Sequence, residues 1–377
     1  MKKLTILTIA ALISIVQLKA QTIYPPSDKR ATAETRALFS NMQRLQGAGT
    51  LFGHHDATAY GVGWKYEANR SDVKSITGDY PAVYGWDFAD MEHDSINDIN
   101  GVPFKLQRKL VQDAYRRGGI NTFCWHVDNP LNDKNAWDTT HNSVREAAPG
   151  GSVHAKYKKY LDNVANYIKT LKGDDGEAIP LLFRPFHELT GHWFWWCKNT
   201  STPEEFKALW RFTIDYLRND KKLHNLLVVY SVADFNTKED FLERYPGEDY
   251  ADFIGFDNYC YQSVTDYQKN LGMRLALQQE IANEHHKLTC LAETGYEKIP
   301  QANWWTTVLQ PELLKNFKTS YVLMWRNGRP DHYYAPYPGQ VSEQDFVKFY
   351  NSWNNIFQKR LTPLAIYGKH ILPEKVK

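Results

Sequence analysis

The sequence predicts an α/β fold, a (β/α)8 TIM barrel carried by residues 21–377 as a single domain. Three observations lead there. Eight short apolar runs, rich in β-branched and aromatic residues, recur along the chain. Amphipathic stretches of helix length separate most of them. Each run is nearly continuous in apolar residues, the mark of strands buried on both faces in a parallel sheet. A doubly wound sheet would share this alternation. The first run, however, is followed by GHHDATAYGVGW, which lacks the glycine signature of a dinucleotide site, and the count of eight favours closure.

The strands are expected at 50–54, 82–87, 120–126, 179–185, 226–231, 253–258, 288–293 and 321–326. Helices are expected at 32–45, before the first strand, and at 104–117, 153–171, 203–218, 264–286, 303–317 and 343–359. The helix at 203 shows the local logic. Ser201-Thr202 offers a cap, Pro203 suits the first helical position, and Glu204-Glu205 place acid in the first turn. The connections after the first and fifth strands carry the weakest helical pattern.

Upstream of the barrel, residues 1–20 read as a cleavable export signal: Lys2 and Lys3, an apolar run at 4–16, and a small residue, Ala20. That run is too short to span a bilayer, which takes about 20 apolar residues, and no lipobox cysteine follows it. A periplasmic or secreted protein without membrane insertion is expected, monomeric by default. The net charge is +2, with 45 basic and 43 acidic residues interspersed, so no nucleic-acid partner is indicated. Aromatic residues make up 14%, including 12 Trp and 23 Tyr. About half should fill the core, and exposed rings would suit stacking on sugar faces. Cys124, Cys197, Cys260 and Cys290 form neither a disulfide framework nor zinc-type spacing, so no cofactor and no metal are expected.

A barrel carries its chemistry at the C-terminal ends of its strands. Those ends read His54-His55-Asp56, Trp86-Asp87, Trp125-His126, His187-Glu188, Asp234, Asp257-Asn258-Tyr259, Glu293 and Trp325-Arg326. A lone His or Asp is usually a satisfied polar group. Titratable and aromatic groups gathered at one level from eight segments mark a site. Glu188 runs straight into Trp193, Phe194, Trp195 and Trp196. Apolar rings strip solvent from a carboxylate and raise its pKa, here toward roughly 6–7, which suits a proton donor near neutral pH. Glu293 ends LTCLAETG, with Asp257 and Tyr259 on the neighbouring strand. A phenol donating to a carboxylate keeps it aimed as a nucleophile. Two carboxylates with divergent environments meet the requirement of glycoside cleavage.

The motifs RPFHELTGHWFWW, GHHDATAYGVGW, CWHVDNP, GFDNYC, ETGYE and MWRN fall at strand ends in one consistent order. In these the chain resembles glycoside hydrolase family 26, best known for β-mannanases. The resemblance implies a retaining enzyme acting on β-1,4-mannan or galactomannan, either endo-acting or releasing mannobiose. Glu188 would be the acid/base and Glu293 the nucleophile. His187 would sit beside the acid/base and Tyr259 would orient the nucleophile. His126, Trp193, Trp325 and Arg326 would line the sugar subsites, and Asp257 would support the same network. The loop at 128–152 with Trp137, and the loop at 57–64, would shape outer subsites. Activity on mixed-linkage glucans or β-1,3-xylans is the alternative within the family. Two rivals lie outside it. A metal-dependent barrel hydrolase, suggested by His54-His55, lacks the further histidines on strands five and six. A non-catalytic glycan-binding protein would usually lack one of the two glutamates.

Overall fold

The structure, a computed structural model, describes residues 22–261, 263–316 and 318–368. The expected leader at 1–20 lies outside the described residues. Eight parallel strands form the centre: β1 (Thr50–His55), β2 (Val83–Asp87), β3 (Ile120–Cys124), β4 (Leu181–Arg184), β5 (Leu226–Val232), β6 (Phe253–Cys260), β7 (Leu288–Tyr296) and β8 (Tyr321–Met324). Each pairs in parallel with its sequence neighbours, and β8 returns to pair with β1 through Leu51↔Tyr321 to His54↔Met324. The sheet is therefore a closed barrel and has no open edge to protect.

Alternation along each strand sorts the core into two layers. Leu51, Val83, Leu182, Leu227, Val229, Phe253 and Leu323 pack with Leu38, Phe39, Met42 and Leu45 of the helix Ala33–Leu45, which caps the end of the barrel opposite the site. The intervening residues face the surrounding helices. Phe52, for example, stacks on Phe357 at 4.6 Å and meets Trp305, Phe346 and Phe349 edge-on. More aromatic surface is buried than the composition suggests: eight of the twelve tryptophans are buried, and only Trp137 and Trp353 are largely exposed.

The helices differ from expectation mainly at their ends. The stretch expected at 203–218 is an α-helix over Pro203–Asp215 that widens into a π-turn over Tyr216–Asp220. The one expected at 303–317 is a π-turn, Trp305–Leu309, followed by a short helix, Gln310–Lys315, and Pro311 has no N–H to continue the α-ladder. The one expected at 343–359 stops at Asn351. There the Asn355 side chain donates to Phe349 O at 2.7 Å, and Asn355–Ile356 joins β1 as a short strand. Asparagine competes with the helix in this way by bonding backbone groups locally.

At the top of the barrel the connection after β1 is long and carries only a short helix, Asp72–Thr77. After β1 the chain forms a small hairpin, Tyr60–Gly61 against Trp64–Lys65. Asp72 fastens it, accepting from Trp64 Nε1 at 2.6 Å, from Val62 N at 2.9 Å and from Asn327 Nδ2 at 2.8 Å. Asn327 follows β8, so one carboxylate ties the first and last loops together. In β7 one extra residue is inserted near Ala292. The register against β6 moves from Phe256↔Leu291 to Asp257↔Glu293, and that against β8 shifts as well. Such a bulge re-aims a side chain, and the one it re-aims here is Glu293.

Candidate active site

Glu188 lies four residues beyond β4, in a tight turn in which Phe186 and Glu188 both take left-handed backbone conformations (φ 48° and 55°). Non-glycine residues seldom adopt that region, and strain of this kind collects at functional sites. The turn lifts the Glu188 carboxyl above the barrel mouth, where Trp193 Nε1 donates to Oε2 at 2.6 Å. Burial among the rings raises its pKa to about 7, the nearby charge of Glu293 adds to the rise, and the Trp193 donor offsets part of it. This carboxyl is half protonated near neutrality.

Glu293 is buried and both of its oxygens are engaged. Tyr259 OH donates to Oε2 at 2.7 Å, and Arg184 Nη2 donates to Oε1. Arg184 also donates to Asp257 Oδ2 at 2.7 Å, while Ser231 Oγ reaches Asp257 Oδ1 at 3.2 Å. The guanidinium is buried, a placement that is tolerable only because two acidic groups flank it. Burial, and after it the charges of Glu293 and Glu188, push Asp257 well above the usual carboxylate range despite Arg184. One oxygen each of Glu188, Asp257 and Glu293 lie within 4.8 Å of one another.

A chain of buried side chains forms the adjoining wall. Asp87, at the end of β2, accepts from the backbone N–H of Ala89 and of His126, and binds His126 Nδ1 at 2.5 Å. His126 Nε2 in turn faces His187 Nε2 at 3.2 Å. Burial works against a charged His126, but Asp87, Glu293 and Glu188 outweigh it and its pKa rises. Burial and the neighbouring cations Arg184 and His126 hold His187 well below the usual imidazole value. His126 Nε2 is then the donor and neutral His187 the acceptor. Trp137 stacks on His126 with ring centroids 5.2 Å apart, and Trp325 stacks on His55 at 4.2 Å.

Among the described residues two further groups bring three potential metal ligands together, Asp87–Cys124–His126 and Glu92–His93–Asp128. In the first, Asp87 and His126 already bind each other. In the carboxylate cluster, Arg184 supplies the balancing positive charge. Neither His54 nor His55 belongs to any of these groups. The arrangement as built is that of acid–base and nucleophilic chemistry: a protonatable carboxyl facing a second carboxylate that is clamped from below.

The model of glycosyl hydrolase family 26 matches residues 27–328. The chain belongs to this family. Its fold is that of a β-mannanase of family 26 from Bacteroides ovatus, with a TM-score of 0.87 and 42% identity over 90% of this chain and 98% of that one. It is also similar to a modular endo-β-1,4-mannanase from Cellulomonas fimi, with a TM-score of 0.84, 31% identity and 93% of this chain covered against 80% of that one. A mannan endo-1,4-β-mannosidase from Bifidobacterium adolescentis is 33% identical over 358 residues, 89% of this chain. The chain spans only 35% of the length of that relative.

Within this family 26 barrel, Glu188, Glu293, Tyr259, Asp257, His126, His187 and Trp193 gather around one point. Trp137 and Trp325 flank His126 and His55. Arg326 lies near Asp56 and Tyr60, where Tyr60 OH and Asn100 Nδ2 donate to Asp56 Oδ2 at 2.6 and 3.0 Å. Asp257, expected among the sugar-binding groups, has both oxygens taken by protein donors. The residues the sequence reading did not assign are Arg184 and Asp87. A signal for Arg184 was present, since a charged residue inside the apolar run LLFRP must have a partner.

Proposed function

We propose that this protein is a retaining β-mannanase that hydrolyses β-1,4-mannosidic bonds of mannan or galactomannan by double displacement. One observation carries the mechanism: oxygens of Glu188 and Glu293 lie within 4.8 Å in contrasting surroundings. Retaining glycosidases hold their carboxyl groups about 5–5.5 Å apart, whereas inverting ones leave about 6.5–9.5 Å for a water. In the first step Glu293 forms a bond to the anomeric carbon as the glycosidic C–O bond breaks, and Glu188 passes its proton to the departing oxygen. In the second, Glu188 removes a proton from water, whose oxygen displaces Glu293 from the same carbon. Tyr259 and Arg184 hold the nucleophile, and His187 sits under the acid. His126, Trp193, Trp325, Arg326 and Trp137 supply the sugar-facing wall.

Mannan as substrate is supported by the names that the relatives from Bifidobacterium and Bacteroides carry. Export is supported by the charged start, the apolar run and Ala20 at 1–20. Among the described residues no helix is long and apolar enough to cross a membrane.

The test is a time course on linear β-1,4-mannan with products separated by chromatography, run beside Glu293→Ala. Release of manno-oligosaccharides by the wild type alone is the expected result. A spread of early sizes denotes internal cuts, and a single early disaccharide denotes action from chain ends. Silence of both proteins on mannan, with activity on a glucan or a xylan, would overturn the substrate.

A further inference from the structure

The turn that carries Glu188 needs something to hold it. Phe186 and Glu188 both take left-handed conformations, with φ 48° and 55°. Residues other than glycine persist there only where their surroundings over-determine them. The conformation at Glu188 is set by the two planar peptides on either side of its Cα. In both, the carbonyl oxygen is engaged by the loop that follows. His187 O accepts from Trp196 Nε1 at 2.8 Å. Glu188 O accepts from Gly191 N at 2.8 Å and from the Cys197 thiol at 3.4 Å. The next carbonyl, Leu189 O, accepts from Lys198 N at 2.9 Å, which closes the loop on itself.

Trp196 is buried, and it reaches the turn in two ways. Its ring meets Phe186 edge-on at 6.0 Å and lies 5.8 Å from the His187 ring, while its N–H takes the His187 carbonyl. A buried indole needs some acceptor for its N–H. Here the acceptor is the peptide oxygen that fixes φ of Glu188. The loop itself is anchored by other residues. Trp195 donates from Nε1 to Val127 O at 2.8 Å and from its backbone to Ala136 O at 3.1 Å. Thr190 Oγ1 accepts from Ala233 N and donates to Asp234 O, both at 3.0 Å. Trp196 therefore bears on the turn more than on the course of the loop.

We propose that Trp196, with Cys197, is a positioning residue for the acid/base. By pinning the peptides on either side of Glu188, the pair holds its carboxyl where the departing glycosidic oxygen takes the proton. Both side chains are buried, and their effect on the reaction passes through Glu188. The assignment rests on the double-displacement reading above. A misplaced Glu188 donates its proton poorly in the first step and takes one from water poorly in the second, while Glu293 is unaffected as nucleophile.

The test compares wild type, Trp196→Phe and Cys197→Ala on mannohexaose and on 2,4-dinitrophenyl β-mannobioside. A sugar leaves only with a proton, whereas dinitrophenolate departs without one, and kcat/KM reports the first step alone. Trp196→Phe keeps an apolar ring and loses the donor. It should lower kcat/KM on mannohexaose at least about tenfold and leave the aryl substrate within about twofold. The kcat on the aryl substrate should fall, because the second step still needs a base. Azide should restore it, since the anion displaces Glu293 from the anomeric carbon without giving up a proton and leaves as the glycosyl azide. Cys197→Ala leaves Glu188 O its bond from Gly191 N and should act in the same direction more weakly. It carries the test if circular dichroism shows Trp196→Phe to be unfolded. An equal fall on both substrates, or no change on either, overturns the positioning role. Glu188→Ala run alongside separates the two readings. If it loses no more on mannohexaose than on the aryl substrate, the acid assignment falls and the role of Trp196 with it. A wild type silent on both substrates overturns the mannanase reading itself.

Discussion

Glu188 gathers opposing electrostatic influences in one side chain: burial and the charge of Glu293 raise its pKa, and the Trp193 donor, Arg184 and His126 lower it. With its pKa at about 7, it loses its proton as pH rises through neutrality. A general acid must be protonated to act, so kcat/KM should fall along an alkaline limb centred near 7. The Trp193 hydrogen bond favours the charged form. Trp193→Phe should therefore raise the Glu188 pKa and carry that limb upward by up to about one unit, whatever it does to the rate itself. A pH–rate profile of the two proteins measures this, and a downward shift would contradict the geometry. Tyr259 acts on the other glutamate. Tyr259→Phe removes the donor 2.7 Å from Oε2, and kcat should drop about 10²-fold with the fold intact, as single-turnover kinetics and circular dichroism would show.

At the scale of elements, the clearest agreement between sequence and structure is the start of the helix Pro203–Asp215. Thr202 Oγ1 accepts from Glu205 N at 3.3 Å, and Glu205 Oε2 accepts from Thr202 N at 2.9 Å, a reciprocal cap. Thr202→Ala should cost about 1 kcal/mol in urea unfolding and leave activity unchanged, because this cap makes no contact with the site. Caps, prolines and apolar runs were legible because each acts over three or four residues. The β7 bulge was not. It depends on how β7 sits against both β6 and β8, and no residue type at Ala292 announces it. The left-handed turn at Phe186 and Glu188 was equally silent, since neither residue favours that conformation by itself. The early end of the helix at Asn351 was only half legible: asparagines weaken a helix there, but pairing with β1 is what makes the alternative worthwhile.

Across the whole molecule, closure of the barrel buries carboxyl groups that play no part in the proposed chemistry. Glu92 accepts from Trp125 Nε1 at 3.0 Å and from Asp128 N at 2.8 Å, and burial raises its pKa to about 8. Asp98 and Asp56 are raised mainly by burial as well, to about 8 and about 7, and each lifts or feels the other. A carboxyl whose pKa is higher in the folded than in the unfolded state binds more protons when folded. Its contribution is complete below the ordinary value near 4 and is lost as pH rises to its folded value. Stability should therefore decline between about pH 4 and pH 8 on account of these groups. Glu92→Gln should flatten that decline by at most about 1.4 kcal/mol per pH unit, although its amide forfeits one of the two accepted hydrogen bonds. Denaturant titrations at pH 5, 6.5 and 8 would read the slope, and a slope unchanged from wild type would place the pH dependence elsewhere.

By itself the sequence determined the architecture, the eight strands and the level at which the chemistry lies. Period and capping are local, and closure of eight buried strands leaves few alternatives. It also singled out Glu188 and Glu293, because each ends an apolar run in a setting that no surface residue needs. Only the tertiary structure decided how far apart those carboxyls stand, that Arg184 clamps Glu293 to Asp257, and that Asp87 fixes His126. Distance, burial and charge at a barrel mouth are set jointly by eight segments far apart in the chain, and no local pattern encodes their sum.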